Sequence, residues 1–442
     1  MSGEASPQRR RQIVDALRRG TVPQQGLDTF AVGLDRFAPT IDDELRAAAG
    51  GAGQFKALRG DYGTGKTFFT RWLAERAKVV GFATAEVQIS EGETPLHRLE
   101  TVYRRLIERL ATADNPQGAL RTVLERWAFA LEEDVLATGQ LDEGDQAELE
   151  VRVGELMESR LATVSRSAPP FATALRAQRA ALAAGDVALA DGIISWVGAQ
   201  PNVPAQVKRA AGVKGEIDHF GALSFLQGLL IVLRDSGHAG LLVVLDEVET
   251  LQRVRSDVRE KGLNAMRQLI DEIDGGRFPG LYLVITGTPA FFDGPQGARR
   301  LEPLAQRLHT DFAGDARFDN PRAVQLRLPA FDVERLVEVG VRVRDLYATD
   351  REAEQRLRVV VDDAYVRELA VAVTGNLGGS VGIAPRVFLK KLVGEVLDRV
   401  DQFADFDPRR DYSLTIAESE LTLEEREARA PRTADDVSLD LS

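Results

Sequence analysis

The chain predicts an α/β fold built on a parallel five-stranded sheet, and three observations carry that expectation. Short apolar, β-branched runs alternate with long amphipathic helical patterns, the rhythm of strands joined by crossover helices. One glycine-rich loop stands between a strand-like and a helix-like segment. A second apolar run ends in two adjacent carboxylates, Asp246 and Glu247.

The expected strands are Phe55 to Leu58, Thr84 to Ile89, Leu241 to Leu245, Leu281 to Thr286 and Ala323 to Leu328, the last stopped by Pro329. Between the second and third lie roughly a hundred more residues than a crossover helix needs, rich in Ala, Leu, Arg and Glu. They predict a helical insertion at about residues 115–215, broken at Ser167-Ala168-Pro169-Pro170 and again at Gln200 to Pro204, where proline stops helices. From Asp332 to about Val400 the pattern is helical again. The expected division is a helical or linker segment at 1–32, a core at 33–330, a helical domain at 331–412 and an acidic, aromatic-poor tail at 413–442, expected to be mobile.

With hydrophobic residues at 44% and charged residues at 28% of 442, the chain can bury a substantial core. Cysteine is absent, which excludes disulfides, thiolate metal sites and cysteine nucleophiles. The first twenty residues are charged, and no later stretch has the length and apolarity of a membrane span, so a cytoplasmic protein without membrane contact is expected. The net charge of −12 gives no general attraction for polyanions; the cluster Arg9, Arg10, Arg11, Arg18 and Arg19 fits a solvated helix face better than a local polyanion contact.

Gly60-Asp61-Tyr62-Gly63-Thr64-Gly65-Lys66-Thr67 matches GxxxxGK[ST] directly after a strand-like segment, and Phe68 opens the helix-like run that follows. Glycine lets the backbone wrap a phosphate with its N–H groups inward, and the helix N-terminus adds positive potential there. The pattern predicts ATP binding, with Lys66 on the β- and γ-phosphates and the Thr67 hydroxyl on Mg²⁺. Asp246, at the carboxyl end of a buried strand, is expected to share that Mg²⁺, and Glu247 to act as general base for the attacking water.

The order of loop, acid-ended strand, Thr-ended strand, Arg-bearing helix and helical C-terminal domain resembles the initiator and helicase-loader branch of AAA+ ATPases. More closely, ALRRGTVPQQGLDTFAVGLDRF, RGDYGTGKTFFTRWLAERA, AEVQISEGETPLHRLETVYRRL and VVLDEVETLQRVRSDVREKGLNAMRQLID resemble the BrxD family of ATP-binding proteins from BREX bacteriophage-defence systems.

That resemblance implies a P-loop AAA+ core closed by a helical lid, DNA and a helicase or other BREX components as partners, and a homo-oligomer. It also implies residue roles. Thr286 or Thr288 would sense the γ-phosphate, and Arg307, with Arg300 second, would complete a neighbour's site. Arg386 would report nucleotide state to the lid, and Val32-Gly33 would meet the adenine unless the glycine only turns the chain. Arg253, Arg255, Arg259 and Arg267 fit a solvated helix face better than a DNA contact, because Asp257, Glu260, Asp271 and Glu272 are interspersed.

The leading expectation is therefore an ATP-hydrolysing switch or loader. A slow NTPase or regulatory scaffold working through its helical insertion is the alternative; a phosphotransferase is disfavoured, since no acceptor site is evident.

Overall fold

The computed structural model describes residues 5–138, 146–376 and 384–417, with Ser419 and Leu421. Residues 377–383 of the stretch with the helical pattern, and most of the acidic tail, lie outside the described residues.

Elements follow in chain order as α1 Pro7–Arg18, α2 Ala38–Ala49, β1 Gln54–Arg59, α3 Lys66–Val79, β2 Ala83–Gln88 and α4 Leu99–Arg109. The insertion holds α5 Leu120–Leu136, α6 Gln146–Ser167, α7 Pro169–Ala183, α8 Val187–Val197 and α9 Ala205–Ala210. Then come α10 His219–Asp235, β3 Leu241–Asp246, α11 Ser256–Asp274, β4 Leu281–Gly287, α12 Pro289–Asp293, α13 Glu302–Leu308 and β5 Gln325–Arg327. The C-terminal helices are α14 Val333–Ala348, α15 Glu354–Val360, α16 Asp363–Asn376 and α17 Ala384–Lys390, which continues through a π-helical stretch, Lys391–Leu397, into α18 Asp398–Gln402.

All five expected strands form, and every pairing among them is parallel, in the order β2-β3-β4-β1-β5. The register sets the carboxyl ends level: Leu58 lies beside Thr286, and Gln88 beside Asp246. Side chains alternate between two apolar cores, as a strand's period of two requires. Val243, Leu245 and Leu283 face α4, α10, α11 and the insertion, whereas Leu242, Val244 and Tyr282 face α2, α3, α1 and the C-terminal helices. Both sheet faces are covered, which is why β3 reads as an unbroken apolar run.

Proline punctuates the insertion as its chemistry demands, with α7 starting at Pro169 and Pro204 immediately preceding α9. Asp332 caps α14 by accepting from the Arg335 N–H at 2.8 Å, ending the passage from β5 and turning the chain into the C-terminal helices. Segment 22–28 is fastened to α3. Arg71 donates to the Val22 carbonyl at 2.6 Å, Trp72 Nε1 donates to Asp28 at 2.6 Å, and Glu75 accepts from the N–H groups of Gly26 and Leu27 at 2.7 and 2.9 Å.

Candidate functional site

At the carboxyl end of β1 the chain leaves the sheet through Gly60 to Gly65 and enters α3 at Lys66. Gly63 and Gly65 have φ of 76° and 91°, a region an L side chain resists, so the wrap of this loop depends on glycine there. Gly60 is needed for space, since a Cβ at that position would lie 2.4 Å from Thr64 Oγ1. Thr64 itself is buried and donates to the Asp61 carbonyl at 2.8 Å, bracing the loop.

The Lys66 ammonium is buried and donates to the carbonyls of Gly60 at 2.8 Å and Asp61 at 3.2 Å. It also lies 5.1 Å from the Tyr62 ring centroid. Burial lowers its pKa, opposed by the negative charge of Glu249 and Asp246.

Across from the loop, β3 delivers Asp246, which is buried and accepts a hydrogen bond from the Thr286 hydroxyl. Glu247 follows with φ 61° and ψ 44°, a left-handed backbone that costs a glutamate about 1 kcal/mol. Its N–H donates to both Thr286 Oγ1 and Asp246 Oδ1 at 3.2 Å, and its carboxylate accepts from Gln88 Nε2 at 2.8 Å. Neighbouring strand ends thus orient both acids, Thr286 from β4 and Gln88 from β2. That left-handed residue turns the chain into a short 3₁₀ segment, Val248–Gln252, and brings Glu249 back beneath the loop. Only 4% of Glu249 is exposed, and its Oε1 lies 3.9 Å from Lys66 Nζ. Burial pushes its carboxyl up to about 7 against the pull of the ammonium.

Loop and acids border one cavity of about 360 Å³. Its polar end is lined by Gly63, Thr64, Gly65, Lys66 and Thr67 facing Asp246, Glu247 and Glu249. The apolar end is lined by Val22, Phe30, Val32, Leu34, Phe331 and Leu389, with Phe30 edge-on to Phe68 at 5.3 Å. Arg386, in the first turn of α17, borders the same space. A polar pocket with an apolar flank, a glycine-lined loop and a helix N-terminus fits a nucleotide, phosphates inward and base against the hydrophobic wall. A second cleft of about 620 Å³ near α4 sets Arg98, Arg104 and Arg105 against Glu93, Glu100, Glu216 and Asp218; carboxylates there outnumber the arginines, and among the described residues Gly92 is the one glycine in its lining.

Of the residues singled out in the sequence, Tyr62 to Phe68, Asp246, Glu247, Val32 and Arg386 line the cavity. Gly60 and Asp61 shape the loop behind it. Gly33, at φ 73°, makes the turn after Val32. Thr286, fully buried, bonds to Asp246, whereas Thr288 precedes α12 and is buried without capping it through its side chain. Arg300 and Arg307 do not border this cavity; Arg300 donates to Ser256 Oγ at 2.9 Å and Arg307 pairs with Asp271, both on α11.

Sequence reasoning missed Glu249 and the wall formed by Leu17, Gly20, Thr21, Val22 and Pro23. For Glu249 the signal was the third acid of Asp246-Glu247-Val248-Glu249; for the wall no local pattern pointed to the loop.

A family model described as BREX system ATP-binding protein BrxC/D matches residues 5–416. Comparison with curated proteins gives no match.

Proposed function

Since the chain belongs to the BREX system ATP-binding protein BrxC/D family, we propose that it is a cytoplasmic AAA+ ATPase that binds and hydrolyses ATP with Mg²⁺. Its cycle serves as a switch or loader on DNA beside a partner helicase in phage defence. The observation that carries this reading is the single cavity shared by the Gly63–Phe68 loop, the acids Asp246 and Glu247, and Arg386.

In this reading the loop N–H groups and Lys66 hold the phosphates. Thr67 and Asp246 would hold Mg²⁺, which supplies charge neutralisation on the phosphate oxygens. Glu247, steadied by Gln88, takes the proton of the attacking water. Thr286 acts through Asp246, and Thr288 remains the second choice for sensing the γ-phosphate. Val32 and Gly33 flank the base.

Arg386 links the phosphates to the C-terminal helices, which act as the lid. In a homo-oligomer, Arg307, or Arg300 in second place, completes the neighbour's site. Exposure of both residues supports that role, and Arg307 would exchange Asp271 for phosphate.

Steady-state ATPase of wild type, Lys66→Ala and Glu247→Gln, with and without duplex DNA, tests the reading. Both variants are expected to lose turnover, Lys66→Ala also losing nucleotide affinity, and DNA to stimulate the wild type. Hydrolysis unchanged in either variant would defeat the reading, and turnover indifferent to DNA would favour the regulatory scaffold instead.

A further inference from the structure

The short segment after β3 places a third acid in the cavity. Val248 and Leu251 of that segment are buried in the core, so Glu249 between them is held on the opposite side, toward the loop. Neither of its carboxylate oxygens has a hydrogen-bond donor other than its own backbone N–H, although water hardly reaches them. Lys66 is the cation with which it forms an ion pair, at 3.9 Å, too long for a hydrogen bond. A carboxylate excluded from water and given no donor by any other residue is costly, and a core position would be filled better by an apolar residue. Facing the phosphate loop, its charge acts on the one ammonium that loop contains.

We propose that Glu249 is a positioning residue for Lys66, competing with the triphosphate for its ammonium and thereby keeping nucleotide affinity low enough for exchange. The proposal rests on the ATP-site reading above. Two anions contest one cation: while Lys66 points to Glu249 and the loop carbonyls it is lost to the phosphates, and when it turns to the phosphates Glu249 is left without a counter-charge. Both effects weaken binding, and both disappear when the carboxylate becomes an amide of the same shape.

The test is titration at pH 8, where the Glu249 carboxylate is ionised, of a fluorescent ATP analogue into full-length wild type, Glu249→Gln, Lys66→Met and the double variant, with and without Mg²⁺, with steady-state turnover alongside. Glu249→Gln is expected to tighten binding by about tenfold or more, with or without Mg²⁺, from the loss of one charge at 3.9 Å. KM should fall, and kcat should not rise with it. In the Lys66→Met background the gain should shrink, because the contested cation is gone.

Glu249→Asp, which keeps the charge, should stay nearer to wild type than Glu249→Gln does. Unchanged or weaker binding by Glu249→Gln, or a gain just as large without Lys66, would overturn the proposal. Weakening confined to the Mg²⁺ titrations would assign Glu249 to the metal instead, and overturn it equally. A wild type that binds no nucleotide at all would bring down the ATP-site reading itself, an outcome distinct from these.

Discussion

Thr286→Val removes one hydroxyl and almost nothing else. The threonine is fully buried at the end of β4, donates to Asp246 Oδ1 and accepts the Glu247 N–H at 3.2 Å, so one oxygen sets the angle between two acids. Valine keeps the shape and fills the same space. The bond lost is charge-assisted and buried, a class contributing about 1.5–3 kcal/mol. Glu247 N–H keeps Asp246 Oδ1 as an acceptor at 3.2 Å and is not orphaned, which places the stability loss at the lower end, about 1–2 kcal/mol in urea unfolding.

Turnover should suffer more than stability, because Asp246 and Glu247 must both keep their aim. A loss of about 1.4–2.7 kcal/mol in transition-state stabilisation is a fall of roughly tenfold to a hundredfold in kcat at saturating ATP and Mg²⁺. Thr286→Ser retains the hydroxyl and should remain within about threefold of wild type. If Thr286→Val turns over ATP at the wild-type rate, or if serine is as damaging as valine, the hydroxyl is not what orients the acids.

Gly60→Ala would set a methyl 2.4 Å from Thr64 Oγ1 and 3.4 Å from Leu328 Cβ, so the brace from Thr64 to the Asp61 carbonyl must break. Nucleotide affinity should drop at least about tenfold with a loss of only about 1–2 kcal/mol in folding stability; titration of an ATP analogue giving wild-type affinity would show that the loop tolerates the shift. Glu249→Gln should change the pH dependence of stability as well as binding. The folded carboxyl is raised from its ordinary value of 4.5 to about 7, so the stability it confers is full below pH 4.5 and is lost as the pH rises through 7, on the order of 3 kcal/mol. The variant should therefore unfold at higher urea than wild type at pH 8, an advantage that shrinks toward pH 5 and would be absent altogether if Glu249 were solvated.

The strands were legible because their signal is local: β-branched runs such as Leu241 to Leu245 carry both their propensity and their burial in consecutive residues. The phosphate loop was legible for the same reason, since GxxxxGK[ST] is a contiguous backbone shape. Glu249 was not, because its direction depends on the left-handed backbone of Glu247, and glutamate seldom adopts that conformation. Nor could the pattern around Thr286 and Thr288 decide between two hydroxyls at one strand end, when the difference is a cross-strand bond to Asp246. The wall from Leu17 to Pro23 was hidden more deeply, for it is held in place by α3 side chains about fifty positions away, such as Arg71 on the Val22 carbonyl.

That wall joins the two halves of the cavity. On one side, segment 22–28 is bound to α3 by Arg71, Trp72 and Glu75. On the other, Arg18 of α1 makes two bonds to Asp398, at 2.6 and 2.8 Å, and Tyr347 OH donates to the same carboxylate at 2.7 Å. Asp398 is mostly buried, so pulling Arg18 away would strip its carboxylate of a guanidinium partner, a cost that the partial exposure of Arg18 reduces. Packing of α1 against α14, α17 and the π-helical stretch adds apolar area to that cost. Any movement of Arg386 relative to Lys66 must then carry α1 along with the C-terminal helices. Between Arg18 and the fastened Val22 lies Gly20, at φ 70°, and Thr21 is tied back to α1, its N–H and its hydroxyl both donating to the Ala16 carbonyl, at 2.9 and 3.1 Å. Residues 19–21 are thus held as a continuation of α1, and they border the same cavity as Lys66 and Arg386 through Gly20 and Thr21.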